Sequence, residues 1–450
     1  MRRPTSCRPS ADYSKAPISD ASWTPRDDWL TVTSVLFVIC LLTFLHYAGA
    51  QMRGPVIPLY AALHGATATG VGLIVGAHMA AAAVGSIPLG RAADVWGRRP
   101  LLVGGMVLGA TTSLLLPLVE GDLALMTIYG LAGVGVAAFS PSALSLVGDL
   151  AAPGRAGHAY AWYSTAHYGA IAIGPFLGGV VAEWWGYRAA FVGSAVGIGI
   201  ALGVGLATPV RRKAPMSERP GAAFADVRND PRIWAGWIVA VSGLLIQGVV
   251  FTFFPLLAHE RGSTPAGIGL VFLVLGLANT LARVPAGWLV DRSGCSAPYA
   301  IGGILAASLI TALLPHANDQ VTVLSLVAVF GGLSGIAFVA ISVGLAASTT
   351  PATRGLVMGG YSTALYLGLA IGSFALGPVI THRGYAAGFA GGGIAGAGGT
   401  LVAALLFWRS LISSSRSALT ASEPVSESET APSSSNPARS SGMGSSDARG

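Results

Sequence analysis

Four polar side chains in the first half of the chain, His46, Arg53, His78 and His167, lie inside stretches that are otherwise apolar. If those stretches cross a bilayer, each such residue is expensive. A charged group at a helix centre costs about 2.5–3.5 kcal/mol on insertion scales, so one that stays there is a candidate for function. A guanidinium offers a permanent cation to an anionic group, and an imidazole can carry a proton near neutral pH. His46 and Arg53 are seven residues apart, two helical turns, and share one stripe. Tyr163 stands one turn before His167, Tyr361 and Tyr366 repeat that aromatic pattern later, and Gln247 and Asn279 add neutral hydrogen-bonding groups. Each has an ordinary reading too: a snorkelling interfacial arginine, a buried neutral histidine, an aromatic packing stripe, an interhelical hydrogen bond.

The middles of the apolar stretches carry no carboxylate; Asp149 and Glu183 fall near their ends and read as interfacial. No HExxH, GxSxG or Walker sequence is present, so neither hydrolytic chemistry nor ATP drive is expected of this chain. The three cysteines, Cys7, Cys40 and Cys295, form no CxxC pair or ladder, and imply neither a metal site nor a disulfide framework. No cofactor is expected.

The elements that must position these residues are membrane spans. The 450 residues are 53% hydrophobic and 10% charged, with mean hydropathy +0.65. So few charges cannot dress a water-facing surface but can dress one that faces lipid. The net charge of +7 sits in short basic clusters between apolar runs, which argues against a nucleic-acid partner. Twelve spans of about 20 residues fit, near 30–53, 68–89, 100–119, 122–147, 159–182, 189–208, 234–257, 267–289, 297–315, 321–347, 357–380 and 386–408. With both termini cytoplasmic, 22 of the 26 Lys and Arg fall inside, and only Arg53, Arg188, Arg261 and Arg383 outside. The expected fold is all-α: a polytopic membrane protein of twelve helices in two pseudo-symmetric six-helix bundles. Its parts are a polar leader (1–28), a first bundle (29–208), a cytoplasmic linker (209–232), a second bundle (233–408) and a disordered tail (409–450). The leader lacks the apolar core and cleavage site of a secretory signal.

The halves repeat at an offset of about 198 residues. Pro153, Gly157, Tyr163-Ser164-Thr165-Ala166, Tyr168, Gly174 and Gly179 align with Pro351, Gly355, Tyr361-Ser362-Thr363-Ala364, Tyr366, Gly372 and Gly377. The loop Pro88, Gly90, Asp94, Gly97 aligns with Pro285, Gly287, Asp291, Gly294. Duplicated halves suit two bundles that rock about a site between them.

Three motifs carry a family resemblance. Gly90-Arg91-Ala92-Ala93-Asp94-Val95-Trp96-Gly97-Arg98-Arg99 resembles the loop signature of the major facilitator superfamily. Gly174-Pro175-Phe176-Leu177-Gly178-Gly179 is similar to the span-five signature of its proton-coupled exporters. Gly49-x5-Pro55-Val56-Ile57-Pro58 resembles the span-one signature of its twelve-span drug exporters. The resemblance implies a conformational latch at Gly90, Asp94, Gly97 and Arg98, with a degenerate copy at Gly287 and Asp291, in which Arg98 pairs with Asp94. Ala92 and Val95 depart from the loop pattern, and Tyr129, four residues before Gly133, stands where the span-four signature has an arginine tied to proton coupling. That makes Tyr129 a further site candidate and sets the chain apart from conventional proton antiport.

What the resemblance implies is a secondary transporter of a small molecule, working by alternating access as a proton-coupled exporter. The expected setting is the plasma-membrane bilayer, and one chain suffices for a pathway. Uptake or facilitated diffusion of a metabolite, or a non-transporting sensor or scaffold, are the alternative readings. Asp94→Asn separates transport from scaffolding: flux is expected to fall with membrane abundance unchanged, and unaltered flux counts against the latch.

Overall fold

A computed structural model describes residues 28–150, 156–207, 227–350 and 353–420, with side chains placed within 35–93, 95–149, 158–207, 227–350, 353 and 355–409. Most of the leader and linker, the tail beyond 420, Pro153, Pro351 and the side chain of Asp94 lie outside the described residues.

Helices make up the described chain. The first half holds α1 (Asp28–Leu63), α2 (Ala68–Trp96), α3 (Arg98–Leu115) and α4 (Asp122–Leu150), then the stretch Ala156–Ala207, which divides at Gly186 into α5 and α6. The second half holds α7 (Pro231–Glu260), α8 (Pro265–Ser293), α9 (Ala297–Leu313) and α10 (Gln320–Ala347), then Arg354–Thr420, which divides at Gly384 into α11 and α12. The packed body ends at Ser410, and Leu411 begins a second unit. Ten stretches are long and apolar enough to cross a membrane, and two of them, at 50 and 55 residues, suffice for two crossings each. Among the described residues the count is therefore twelve. Gly186 (φ 84°) and Gly384 (φ 80°) supply the two sharp turns in a left-handed conformation that a side chain would strain.

The repeat is visible in the backbone. Positive-φ glycines recur in pairs, Gly97 with Gly294 after α2 and α8, and Gly186 with Gly384. A short 3-10 turn, Leu116–Leu118 after α3 and Leu314–His316 after α9, recurs likewise. Polar caps mark the helix starts: Thr67 accepts from the Gly70 amide, Thr264 from Gly267 and Asp319 from Thr322. Inside the spans, hydroxyls such as Ser142, Ser373 and Thr400 bond back to the carbonyl four residues earlier, so they are satisfied without water.

The span-one boundary needs correction. The helix does not stop near residue 53 but runs to Leu63, with Pro55 and Pro58 inside it. Each proline deletes one backbone donor, yet in an apolar setting the remaining helical bonds are the only partners available, so the helix continues through both. Arg53 thus lies ten residues inside the helix end, not in a loop. Arg283, counted above among the loop cations, lies inside α8. Cys40 is free.

The bundles meet at the ends of the spans opposite the chain termini, here the far side. The contacts are nearly two-fold symmetric. A Cβ on Gly179 of α5 would overlap the carbonyl of Pro265 on α8, and one on Gly377 of α11 would press on the carbonyl of Ala68 and Cα of Thr69 on α2. Thr69 donates its amide to Thr381 Oγ1 at 3.0 Å, with the two hydroxyls 2.9 Å apart, and the Ala266 amide donates to Glu183 Oε2 at 2.9 Å. On the terminal side the same helices stand apart: Gly90 of α2 and Gly287 of α8 face open space, and Val84 and Val284 are exposed. A cleft therefore opens between the bundles toward the terminal side.

Gly179→Leu and Gly377→Leu should each hold the far side apart. Overpacking of about 1–3 kcal/mol corresponds to roughly 5- to 160-fold against the closed form. The expected result is lost flux at normal membrane abundance, with Thr69→Cys newly reactive to an impermeant thiol reagent; wild-type flux in both variants would contradict this.

Candidate functional site

Two polar groupings lie within the first bundle and along the cleft. The first joins α1 to α4. Arg53 of α1 is only 2% exposed. Its Nε donates to the Ala50 carbonyl at 3.3 Å, its Nη1 to Thr112 Oγ1 of α3 at 3.5 Å, and its guanidinium lies 5.8 Å from the centre of the Tyr129 ring on α4. The ring face of a tyrosine attracts a cation, so Tyr129 supplies part of what a carboxylate would. On its own side Tyr129 stacks with His78 of α2, centroids 4.2 Å apart and planes 12° apart. His78 Nδ1 is 2.9 Å from the Tyr129 carbonyl, a contact that requires the proton on Nδ1. Arg53, Tyr129 and His78 thus form one column through three helices.

The second grouping runs from the interior of the first bundle to the cleft. His46, 2% exposed, stacks on Phe139 of α4 at 3.7 Å inside the bundle, and Tyr47 stands edge-on to the half-buried His167 of α5 at 4.2 Å. Tyr163 and Tyr168 flank His167 at 6.0 and 4.9 Å. Across the cleft, the Arg283 guanidinium of α8 sits 3.5 Å from the centre of the Tyr168 ring, and its Nε donates to Asn279 Oδ1 at 3.1 Å. Tyr361 and Tyr366 of α11 lie within electrostatic range of Tyr168, and Tyr366 also of Tyr47. Gln247 is buried in α7. Both ring nitrogens of His46 and Nδ1 of His167 are buried without a hydrogen-bond partner among the described residues. An orphaned group of this kind costs about 1–3 kcal/mol, and marks a place where a hydrogen-bonding ligand would find an unpaired partner.

The structure brings the proposed residues into these two groupings and separates others from them. Among the described residues Asn279 bonds within its own helix, accepting from Arg283, and not between helices. Arg283, Tyr47 and Tyr168 are the cleft residues that sequence reasoning passed over; the signal for Arg283 was its place inside the 267–289 apolar stretch, which the loop count overrode. The motif residues have structural work. A Cβ on Gly174 or Gly178 would overlap the carbonyls of Ala48 and Met52, so these two glycines seat α5 on α1, while Gly179 seats α5 on α8 around Pro175. Gly49 approaches α6 at Ser194 and Ile198. At the loop, Arg98 is ion-paired with Asp149 at the end of α4 and donates to the Ser145 carbonyl, so Asp149 is a partnered acid and not a solvated interfacial one. Gly97 turns the chain with φ 96°, and Asp291 is exposed. Among the described residues no group of three or more His, Cys, Asp or Glu is disposed to hold a metal ion.

Comparison with known proteins follows the same lines. The sequence model of the Major Facilitator Superfamily matches residues 39–264 and 244–439, one match for each half. An uncharacterized MFS-type transporter of Methanocaldococcus jannaschii is 25% identical over 351 residues, 76% of this chain and 90% of the relative. A chloramphenicol resistance protein of Pseudomonas aeruginosa is 24% identical over 371 residues, 78% of this chain and 84% of the relative. Among solved structures, a bacterial homolog of the human lysosomal transporter Spinster, in an inward-facing and occupied conformation, superposes with a TM-score of 0.69 at 16% identity, over 84% of this chain and 96% of that one. With both repeats matched and the duplicated bundle fold in place, this chain belongs to the Major Facilitator Superfamily of membrane transporters.

Proposed function

We propose that this chain is a plasma-membrane exporter of small organic molecules, coupled to protons, with both termini cytoplasmic and the monomer as the working unit. The observation that supports the reading best is the two-fold set of glycine contacts closing the far side over a cleft that opens toward the termini. With the basic loops on the cytoplasmic side, that cleft faces the cytoplasm, where an exporter loads. The chloramphenicol resistance relative favours a drug-like cargo. In the latch, Arg98 and Asp149 tie α3 to α4 beside Gly90, Asp94 and Gly97, and the second copy lies at Gly287 and Asp291; together they are the parts that would close the cytoplasmic side in the opposite state.

Proton coupling is assigned to His167 on the cleft and to His46 behind it in the first bundle. His167 is the better placed: it is half-buried and flanked by Tyr47, Tyr163 and Tyr168. Tyr129 favours a second reading, gradient-independent passage, because an aromatic ring there carries no charge to exchange with a proton.

The test is transport in proteoliposomes with an imposed pH gradient. Export is expected to follow the gradient, and His167→Ala and His46→Ala to flatten its pH dependence. Flux indifferent to the gradient would establish facilitated diffusion, and a pH profile unchanged in both variants would remove the histidines from the coupling path.

A further inference from the structure

The charges at the depth of the cleft share one sign. Every described acid (Asp28, Glu120, Asp122, Asp149, Glu183, Asp230, Glu260, Asp291 and Asp319, with Asp94 in the loop motif) sits at a helix end or in a loop. Arg53 and Arg283, by contrast, lie well inside α1 and α8. The two arginines are held differently. Arg53 is sealed in the first bundle against Tyr129. Arg283 is half-buried on the cleft, and three features fix its fork. Its flat face lies on Tyr168, its Nε is occupied by Asn279, and the helix that carries it is pinned at its far end by the glycine contact with α5. Among the described residues these contacts engage the guanidinium face and Nε and leave the two Nη groups, the edge that grips a carboxylate or sulfonate in bidentate fashion.

The surroundings of that edge are aromatic. Tyr168 lies under the guanidinium and Tyr361, from the other bundle, is within its electrostatic range, with Tyr163 and Tyr366 on the same two helices. Aromatic side chains bury flat apolar bodies while keeping a hydroxyl available for a polar substituent. A low-dielectric cleft with fixed positive charge and no acid raises the local concentration of anions and disfavours cations.

We propose that Arg283 is the recognition point for an anionic group on the cargo, and that the cargo is an organic anion with a flat, aromatic or otherwise apolar body. Asn279 is a positioning residue that holds the guanidinium in plane, and Tyr168 is its platform. This rests on the reading of the chain as a transporter, and it narrows the substrate class that reading leaves open.

The test uses the purified full chain and three probes that share a naphthalene ring: 2-naphthalenesulfonate (anion), 2-naphthalenesulfonamide (neutral) and 2-naphthylmethylamine (cation). Binding is read by thermal stabilisation, and flux separately in proteoliposomes. The sulfonate is expected to stabilise the wild type at concentrations where the other two do not. Arg283→Gln should weaken sulfonate binding at least about tenfold and leave sulfonamide binding unchanged. Arg283→Lys, which keeps the charge but loses the fork, should fall between. Arg283→Lys also serves if the Gln variant does not fold. Asn279→Ala should weaken the sulfonate less than Arg283→Gln. Equal binding of all three probes, absence of sulfonate binding, or sulfonate binding unchanged in Arg283→Gln and Arg283→Lys overturns the proposal. Flux of the neutral or cationic probe with charge-blind binding would do so while leaving the transporter intact. Sulfonate binding that depends on Arg283, with no flux of any probe, would keep the anion site and sink the transport reading.

Discussion

Two backbone approaches govern this fold, Gly179 against Pro265 and Gly377 against Ala68. Neither has room for a side chain, and each joins one bundle to the other. Lipid offers no hydrophobic drive between helices, so association depends on close packing and on hydrogen bonds between small polar groups. Glycine permits the first, and Thr69 with Thr381 provides the second. A contact made of surfaces this small and flat is also easy to part. That combination is what a rocking mechanism needs: enough complementarity to seal one side, without interlocking side chains that would resist opening.

The same helices that close the far side carry the chemistry in the middle. Pro175 and the glycines around it seat α5 on α1 and on α8 at once, so Tyr163, His167 and Tyr168 are held on a helix that belongs to both interfaces. Arg283 lies on α8 below its contact with α5 and rests on Tyr168, so that the cation–ring contact itself crosses between bundles. A change at the middle of the cleft and a change at the far-side seal are therefore mechanically linked through two rigid helices.

Much of this was legible in the sequence because membrane helices leave little freedom. The length of the apolar runs implies twelve spans, and the sequence repeat pairs Gly179 with Gly377, the two glycines that close the far side. What misled the reading was local punctuation. Pro55 and Pro58 look like a helix end in water, yet lipid keeps the helix going to Leu63 and draws Arg53 deep into the bundle. Arg283 looked like one more loop cation because it stands near Pro285 and Gly287, which in fact continue α8. The partner of Arg98 at Asp149 was hidden because it comes from another helix, 51 residues on, and no spacing rule connects them. The face-to-face stacking of His78 on Tyr129, and Arg53 beyond it, likewise arises only from how α1, α2 and α4 cross.

The central claim is that the far-side contacts break and re-form in every transport cycle. The double substitution Thr69→Cys with Thr381→Cys tests it most directly, because the two hydroxyls stand 2.9 Å apart and sulfurs in their place are close enough to join. Oxidation should lock the far side shut and abolish flux, and a reducing agent should restore it. Cross-linked protein that transports at the uncross-linked rate would contradict the account.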